Sequence, residues 1–222
     1  MINVKNLTKK YGSQVCLDNV CLSLEEGRIY GMVGENGAGK STLFRCLTNL
    51  ENYDGEVEMP SGLSVGYLSD TPFYYTYVTG REYIEFCMKA SGKVLDKAAL
   101  EEINSHFRLP LDKYATRYSL GMKKRLAIMT LMLQEHDIVI LDEPFNGLDI
   151  VGTIILKKWF KELKDKHKTV IFSSHIISSL TDISDEIFYI HAGKLMNSFK
   201  GDVSAEEIEK IIAEEVLLVH SS

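Results

Sequence analysis

The sequence lacks the hydrophobic segments that membrane insertion or secretion would need. No apolar run approaches the roughly 20 residues that a transmembrane helix requires. The first residues, Met1 to Lys5, contain no signal-peptide core. The cysteines form no C-x-x-C pair and have no histidine at zinc-binding spacing, so we expect reduced thiols; they are Cys16, Cys21, Cys46 and Cys87. These absences predict a cytoplasmic protein.

An excess of positive charge is also absent. The 25 Lys and Arg residues are outnumbered by 31 Asp and Glu residues, which gives a net charge of −6. No global basic field therefore attracts nucleic acid, and we expect no nucleic-acid partner, although a local basic patch stays open. The 222 residues, 45% hydrophobic and 25% charged, are typical of a soluble globular protein. This length allows one large domain, or a core with an inserted subdomain.

A phosphate-binding loop is the most informative feature that is present. Residues 34–42 read G-x-x-x-x-G-K-[ST], after a strand-like run, Ile29 to Val33, and before a helix-like segment. Glycines let successive backbone N–H groups turn toward phosphate oxygens, and the helix adds the positive end of its dipole. The alternative is a glycine-rich turn that binds no phosphate. The predicted ligand-binding residues are Gly34, Glu35, Asn36, Gly37, Ala38, Gly39, Lys40, Ser41 and Thr42.

The chain alternates strands and helices around this loop, which predicts an α/β fold with a mostly parallel sheet. We expect a P-loop NTPase with a RecA-like core and an N-terminal antiparallel β subdomain. Residues 73–133 are predicted as an inserted α-helical subdomain, and residues 1–72 and 134–222 as the nucleotide-binding core of a single domain, 1–222. Near the end, we predict an acidic helix from Val203 to Glu215 and a last strand from Val216 to Val219.

Polar residues follow two of the predicted buried strands. Asp142 and Glu143 come directly after an apolar run, and His175 follows another. Ligands bind outside the carboxyl ends of parallel strands, so these residues should meet the phosphate loop. Asp142 and Ser41 are predicted to ligate Mg²⁺, Glu143 to polarise the attacking water, and His175 to contact the γ-phosphate. The alternatives are a solvated acid pair and an ordinary loop histidine.

Residues Tyr118 to Leu126 resemble the signature motif of ATP-binding-cassette (ABC) ATPases. The family's other motifs follow in the expected order, with Tyr11 as the aromatic loop that would stack on the base and Asp149 in the D-loop. A half-buried tyrosine at a strand end remains the alternative for Tyr11. The resemblance implies the ATP-hydrolysing, Mg²⁺-dependent subunit of an ABC transporter, most similar to the drug, antibiotic-resistance and polysaccharide exporter branches.

The resemblance also implies partners. Two chains would dimerise head to tail, each signature turn sealing the ATP of the other; its residues are Ser119, Leu120, Gly121 and Met122. Separate membrane permease subunits would hold the protein at the inner face of the cell membrane, and residues 73–77 are a candidate contact. For this aromatic segment, ordinary packing between subdomains is the alternative. Other functions left open are a soluble non-transport ABC ATPase and a nucleotide-binding regulatory module with low turnover.

The sequence departs from the family pattern at a few positions. Asp70 stands where the linker usually has Gln, and we predict that it still faces Mg²⁺ or water. Leu120 and Met122 replace residues of the usual signature, and Lys124 stands where Gln is common. We expect all motifs to function. The cargo and the identity of the permease are left open.

Overall fold

The computed structural model describes residues 1–201 and 203–219 as nine strands, seven α-helices and one short 3₁₀ helix. The strands are β1 (Ile2–Tyr11), β2 (Gln14–Leu24), β3 (Ile29–Val33), β4 (Asp54–Glu58), β5 (Val65–Leu68), β6 (Ile138–Leu141), β7 (Thr169–Ser173), β8 (Glu186–His191) and β9 (Lys194–Lys200). The helices are α1 (Lys40–Leu47), α2 (Gly80–Ala90), α3 (Lys97–Phe107), α4 (Leu120–Gln134), α5 (Ile150–Asp165), α6 (Ile177–Thr181) and α7 (Ala205–Val219). The 3₁₀ turn covers Ala115–Arg117.

Two sheets form the framework. One is antiparallel, in the order β2-β1-β4, and the other has six strands in the order β5-β6-β7-β3-β8-β9. The six-stranded sheet is parallel except for β9, which pairs antiparallel with β8. Every residue of β3, β6 and β7 is buried, as expected for central strands covered on both faces. The predicted α/β fold with an antiparallel β subdomain is confirmed.

Helices α2, α3 and α4 lie between β5 and β6 in the chain, within the segment predicted to be helical. Each begins at a side-chain cap: Thr79 with Glu82 in a reciprocal capping box, Asp96, and Ser119. Helix α4 is buried nearly all round from Leu126 to Leu133 and belongs to the same core cluster as β6 and α5, so it joins the helical segment to the sheet. The subdomain boundaries at 73 and 133 remain predictions.

The C-terminal region corrects the sequence prediction in two places. The strand predicted from Val216 to Val219 is wrong, because α7 continues through these residues. The helical spacing of Ile208, Ile211 and Ile212 toward the core already favours one continuous helix. Strand β9 was not predicted, because its sequence is mostly polar and only alternate residues face inward.

The turn between β8 and β9 connects both sheets with the phosphate loop. The backbone N–H of Gly193 donates to the carbonyl of Ala38 at 2.9 Å, and the Gly193 carbonyl accepts from the N–H of Asp18 at 2.9 Å. A Cβ atom on Gly193 would lie 2.6 Å from the carbonyl oxygen of Cys16 in β2, so only glycine fits. The loop is therefore held from two sides by backbone contacts.

In the part of the chain that the structure describes, no helix is both long enough and apolar enough to cross a bilayer.

Candidate nucleotide-binding site

The phosphate loop connects β3 to α1 and curls tightly over the sheet. Gly39 precedes α1 with a φ of 113°, which favours glycine strongly. A Cβ on Gly34 would lie 2.3 Å from the carbonyl oxygen of Ile190, so the loop backbone rests directly on β8. This close packing brings the loop's N–H groups and the N-terminus of α1 to one edge of the sheet.

Lys40 is the buried cation of this loop. Only 5% of the residue is exposed, and its Nζ donates to the carbonyls of Gly34 at 2.6 Å and Glu35 at 3.1 Å. Burial lowers the pKa of Lys40, whereas the carboxylates of Glu143 and Asp142 act to raise it. The ammonium lies 3.9 Å from Oε1 of Glu143, where it can bridge the loop and the acids.

Asp142 and Glu143, both buried, lie at the carboxyl end of β6. Ser173, at the end of the neighbouring β7, links them: its hydroxyl donates to Oδ1 of Asp142 at 2.7 Å and accepts from the N–H of Glu143 at 2.8 Å. Nδ1 of His175 lies 3.0 Å from Oε2 of Glu143. The other oxygen of Glu143 is buried without a hydrogen-bond partner among the described residues, and the Lys40 ammonium at 3.9 Å is the charge that faces it.

These groups surround a cleft of 310 Å³. Its walls contain ten of the predicted site residues, namely Glu35, Asn36, Gly37, Gly39, Lys40, Ser41, Thr42, Asp70, Asp142 and Glu143. Gly34 and Ala38 lie in the same loop behind the wall, and His175 reaches the cleft through Glu143. Gln14 and Cys16 also line the cleft. The structure thus brings together side chains from five separate segments of the chain.

Tyr11 lies at the end of β1 and is 40% exposed, outside the walls of the cleft. The Nζ of Lys9 lies 4.7 Å from the centre of its ring, and Nη2 of Arg45 donates to its hydroxyl at 3.5 Å. Lys9 is in turn held by the carboxylate of Glu51 at 3.0 Å. The ring is therefore fixed beside the site while part of it stays open to a flat ligand.

The signature turn lies apart from this cleft, since none of its four residues lines the walls. Ser119 is exposed and its hydroxyl accepts from the N–H of Met122 at 3.3 Å, while Leu120 is 63% exposed. Gly121 packs against the carbonyl of Gly147, where a Cβ would approach within 2.5 Å. The N-terminal end of α4 is thus presented to the outside.

The D-loop lies beside the signature turn. Asp149 caps α5 by accepting from the N–H of Gly152 at 2.9 Å, and its other oxygen pairs with Nη2 of Arg125 at 2.6 Å. These hydrogen bonds lower the pKa of Asp149. This ion pair links the D-loop to the signature helix.

Comparison with known proteins identifies this arrangement. A family model described as ABC transporter matches residues 17–146, more than half of the chain. The chain belongs to the ABC transporter family. It is one of that family's ATP-binding ATPases.

Curated relatives of this ABC protein include transport components. The bacitracin transport ATP-binding protein BcrA of Enterococcus faecalis is 33% identical over 95% of this chain and 71% of its own length. The lantibiotic transport ATP-binding protein SrtF of Streptococcus pyogenes is 30% identical over 98% of both chains.

Solved structures share the fold. One, described as the ATP-binding subunit of an ABC transporter, has a TM-score of 0.86 and 26% identity, covering 96% of this chain and 99% of its own. A dimeric ATP-binding cassette bound to ADP and Pi has a TM-score of 0.77 and 23% identity, covering 90% and 98%.

The ABC cleft contains the donors that a magnesium ion needs. Mg²⁺ prefers oxygen ligands and binds proteins through one or two side chains plus water and phosphate oxygens. The Ser41 hydroxyl and the carboxylates of Asp142 and Asp70 all line the same cleft. No group of three or more His, Cys, Asp or Glu side chains among the described residues is arranged to hold a metal alone. The donor set therefore fits an ion that takes its remaining ligands from a nucleotide and water.

Sequence reasoning missed Ser173 as a functional residue of this ABC site. It is fully buried and orients both acids, yet in sequence it is only the last residue of an apolar strand. Its position two residues before His175 was the available signal. Gln14 and Cys16, which belong to an exposed stretch of β2, gave no comparable signal.

Proposed function

We propose that this chain powers a membrane transporter as a head-to-tail dimer that binds and hydrolyses Mg²⁺-ATP. One observation carries the proposal: the cleft contains the phosphate loop and both acids, whereas the exposed signature turn of the same chain lies apart from it. A helix N-terminus stabilises anions, so a signature turn from a second chain fits the open side of a bound triphosphate.

The residue roles in this proposal follow from the contacts at the cleft. Lys40 and the loop N–H groups bind the β- and γ-phosphates, and Ser41, Asp142 and Asp70 hold the metal side. These residues would hold Mg²⁺, which would offset the negative charge that develops during phosphoryl transfer.

Glu143 accepts a proton from the water that attacks the γ-phosphorus, while the bond to the ADP oxygen breaks. His175 orients the Glu143 carboxylate through its 3.0 Å contact and reaches toward the γ-phosphate.

Mixing two variants tests the composite site. Lys40→Ala removes the phosphate ligand, and Ser119→Arg blocks the signature turn. In a head-to-tail dimer that contains one chain of each, one site carries both defects and the other carries neither. Two inactive proteins should therefore regain about a quarter of wild-type phosphate release after random mixing, as expected for an interface between copies.

A matched control keeps this mixing test specific. Thr79→Ala also removes an N-cap residue, in this case that of α2. The loss of this cap should destabilise the helix by about 1 kcal/mol. It should leave hydrolysis near the wild-type level. A mixture of Lys40→Ala and Ser119→Arg that stays inactive, with both chains folded, would rule out the shared site.

We also propose that separate permease chains dock on the groove beside β5. This groove has a volume of 510 Å³ and lies between the edge strand β5 and helices α2 and α4. Exposed aromatic rings surround it, since Phe73 is 73%, Tyr75 57% and Phe86 58% exposed. Tyr74 is buried and packs on Tyr83, so it belongs to the core and not to the contact predicted at residues 73–77.

Substitution of a groove residue tests the docking. Phe86→Glu should abolish co-purification with detergent-solubilised membrane chains, whereas phosphate release by the isolated protein should persist. Val94→Glu is the matched control, because Val94 is 92% exposed and does not line the groove. Equal retention of permease by both variants would contradict the docking site.

The names of the relatives suggest a class of cargo and a cellular location for this chain. BcrA and SrtF are named for bacitracin and lantibiotic transport. We infer an exporter of antibiotic-type cargo, with this subunit attached to the inner face of the cell membrane through its permease. A phosphate-release assay separates this role from a regulatory module, which would bind nucleotide with little turnover.

A further inference from the structure

Lys124 is a buried lysine to which the proposed mechanism assigns no role. It lies in the second turn of α4 and is 1% exposed. Lysine is almost never fully buried unless its charge has partners. Its Nζ donates to the carbonyl of Asp70 at 2.8 Å and to the carbonyl of Asp142 at 3.4 Å, and lies 3.5 Å from Oδ1 of Asp70. These polar partners of the ammonium are all residues of the cleft wall.

The three segments that meet at Lys124 come from distant parts of the chain. Asp70 begins the linker from β5 to the helical segment, and Asp142 ends β6. Lys124 itself is on the helix that starts at the signature turn. Its ammonium thus joins the signature helix, the linker and the strand end behind the ATP cleft.

A fully buried ammonium group loses its hydration, and packing alone does not require this energetic cost. Replacing a buried ionic contact by an apolar side chain of similar volume is often neutral or stabilising. An unbranched apolar residue could fill this space, so packing alone does not account for a lysine.

We propose that Lys124 is a positioning residue for ATP hydrolysis, whose ammonium holds the linker against the end of β6 and keeps the Asp70 carboxylate at the cleft wall. One contact then accounts for two departures from the family pattern. Asp70 and Lys124 each stand where Gln is usual, and their opposite charges compensate each other. The inference rests on the proposed function only in so far as the cleft hydrolyses ATP.

The first test compares Lys124→Met with Lys123→Met, the neighbouring lysine on the same helix, which has no side-chain partner in the cleft wall. Lys124→Met should lower kcat about tenfold, because small displacements of positioned groups are costly in rate. The KM for ATP should change less than about twofold, since the phosphate loop is intact. The melting temperature should stay equal or rise, and Lys123→Met should behave as the wild type.

A second readout does not depend on turnover. Backbone amide hydrogen exchange of Asp142, whose N–H donates to the carbonyl of Leu68 at 2.8 Å beside the start of the linker, should become about tenfold faster in Lys124→Met when measured on the nucleotide-free protein, as local opening does when tethers are lost. This measurement shows whether Lys124 holds the linker even if the wild type hydrolyses no ATP. Failure of the proposed function and failure of this inference are therefore distinguishable.

A double substitution provides the rescue. Asp70→Gln with Lys124→Gln replaces the ion pair with two amides that can bond each other, and it should regain most of the kcat that Lys124→Gln loses alone. These two variants also replace the comparison if Lys124→Met does not fold. Unchanged exchange of the Asp142 amide, a kcat within twofold of the wild type, or no rescue by the double variant would overturn the proposal.

Discussion

The phosphate loop and the signature turn both lie at helix N-termini, but the first is buried in contacts with its own chain and the second is exposed. At the first, α1 starts inside a cleft where Lys40, Asp142 and Glu143 are buried and contact residues of other segments. At the second, α4 starts at Ser119, whose hydroxyl bonds only within its own helix among the residues that the structure describes, next to a largely exposed Leu120. One region is organised within a single chain, and the other has a positive helix end without such contacts. This difference agrees with the proposal that the second region completes a site on another chain.

Glu143→Gln should have the largest effect on this comparison. The amide cannot accept the proton of the attacking water, so kcat should fall at least about 10³-fold, within the range for loss of a general base. ATP-dependent dimerisation should persist, because the phosphate loop and the signature turn are unchanged. Phosphate release measures the turnover, and light scattering measures the dimerisation. Normal turnover by this variant would show that Glu143 is not the general base.

Ser173→Ala should have the next largest effect, about 10- to 100-fold on kcat, because it leaves Asp142 and the N–H of Glu143 without their shared partner. Ser173, unlike Ser119, bonds to the two acids that line the cleft. A mixture of Ser173→Ala with Lys40→Ala should therefore show no more activity than Ser173→Ala alone, since each head-to-tail site would contain one damaged cleft. Recovery of activity in this mixture would show that the cleft is itself shared between chains.

Tyr11→Ala should have a moderate effect that is confined to nucleotide affinity. Stacking of a base on an aromatic ring contributes about 1–3 kcal/mol, so the KM for ATP should rise at least about fivefold with little change in kcat. Tyr11→Phe keeps the ring and should remain close to the wild type. If both variants are equally impaired, the contact of the hydroxyl with Arg45 matters more than the stacking.

The smallest expected effect is on the pH dependence of stability. It comes from His136, which lines the groove beside β5, away from the phosphate loop and the signature turn. Burial lowers the pKa of His136, helped by Lys93 and Lys168, whereas the unfolded imidazole keeps its ordinary pKa of about 6.5. Below this pH the unfolded chain binds more protons, so the free energy of unfolding should fall as the pH falls. The slope is at most about 1.4 kcal/mol per pH unit for one group.

Urea unfolding at two pH values on either side of neutrality measures the effect of His136. His136→Gln should unfold with a weaker pH dependence than the wild type. ATP hydrolysis should keep its pH profile, because His136 does not line the cleft. An identical pH dependence of unfolding in both proteins would contradict the assignment.

The residues of the candidate site could be predicted from the sequence more completely than the edge strand β9, and the reasons are physical. The phosphate loop requires glycines and a lysine at fixed spacing, and the central strands are apolar throughout because both faces are covered. These constraints are local, so Lys40, Asp142 and Glu143 could be assigned from the order of residues alone. Strand β9 is polar on alternate positions and pairs only on one side, so its sequence carried little signal.

Contacts that depend on distant segments were beyond sequence reasoning. The link from Ser173 to the two acids joins neighbouring strands that are 31 positions apart in sequence. The pairing of Lys124 with Asp70 spans 54 positions. In the sequence, Ser173 looked like a strand end, and Lys124 and Asp70 looked like departures from a motif. Only the packing of α4 against β5 and β6 brings Lys124 to its partner.

The hairpin turn at Gly193 has a consequence for genetics. Its backbone holds Ala38 of the phosphate loop and Asp18 of the antiparallel sheet at the same time, and no side chain larger than hydrogen fits there. An unbiased screen for alleles that abolish transport should therefore recover Gly193 substitutions alongside those of Lys40. Such alleles would lie outside every predicted ATP-site segment, and their defect would lie in the shape of the phosphate loop.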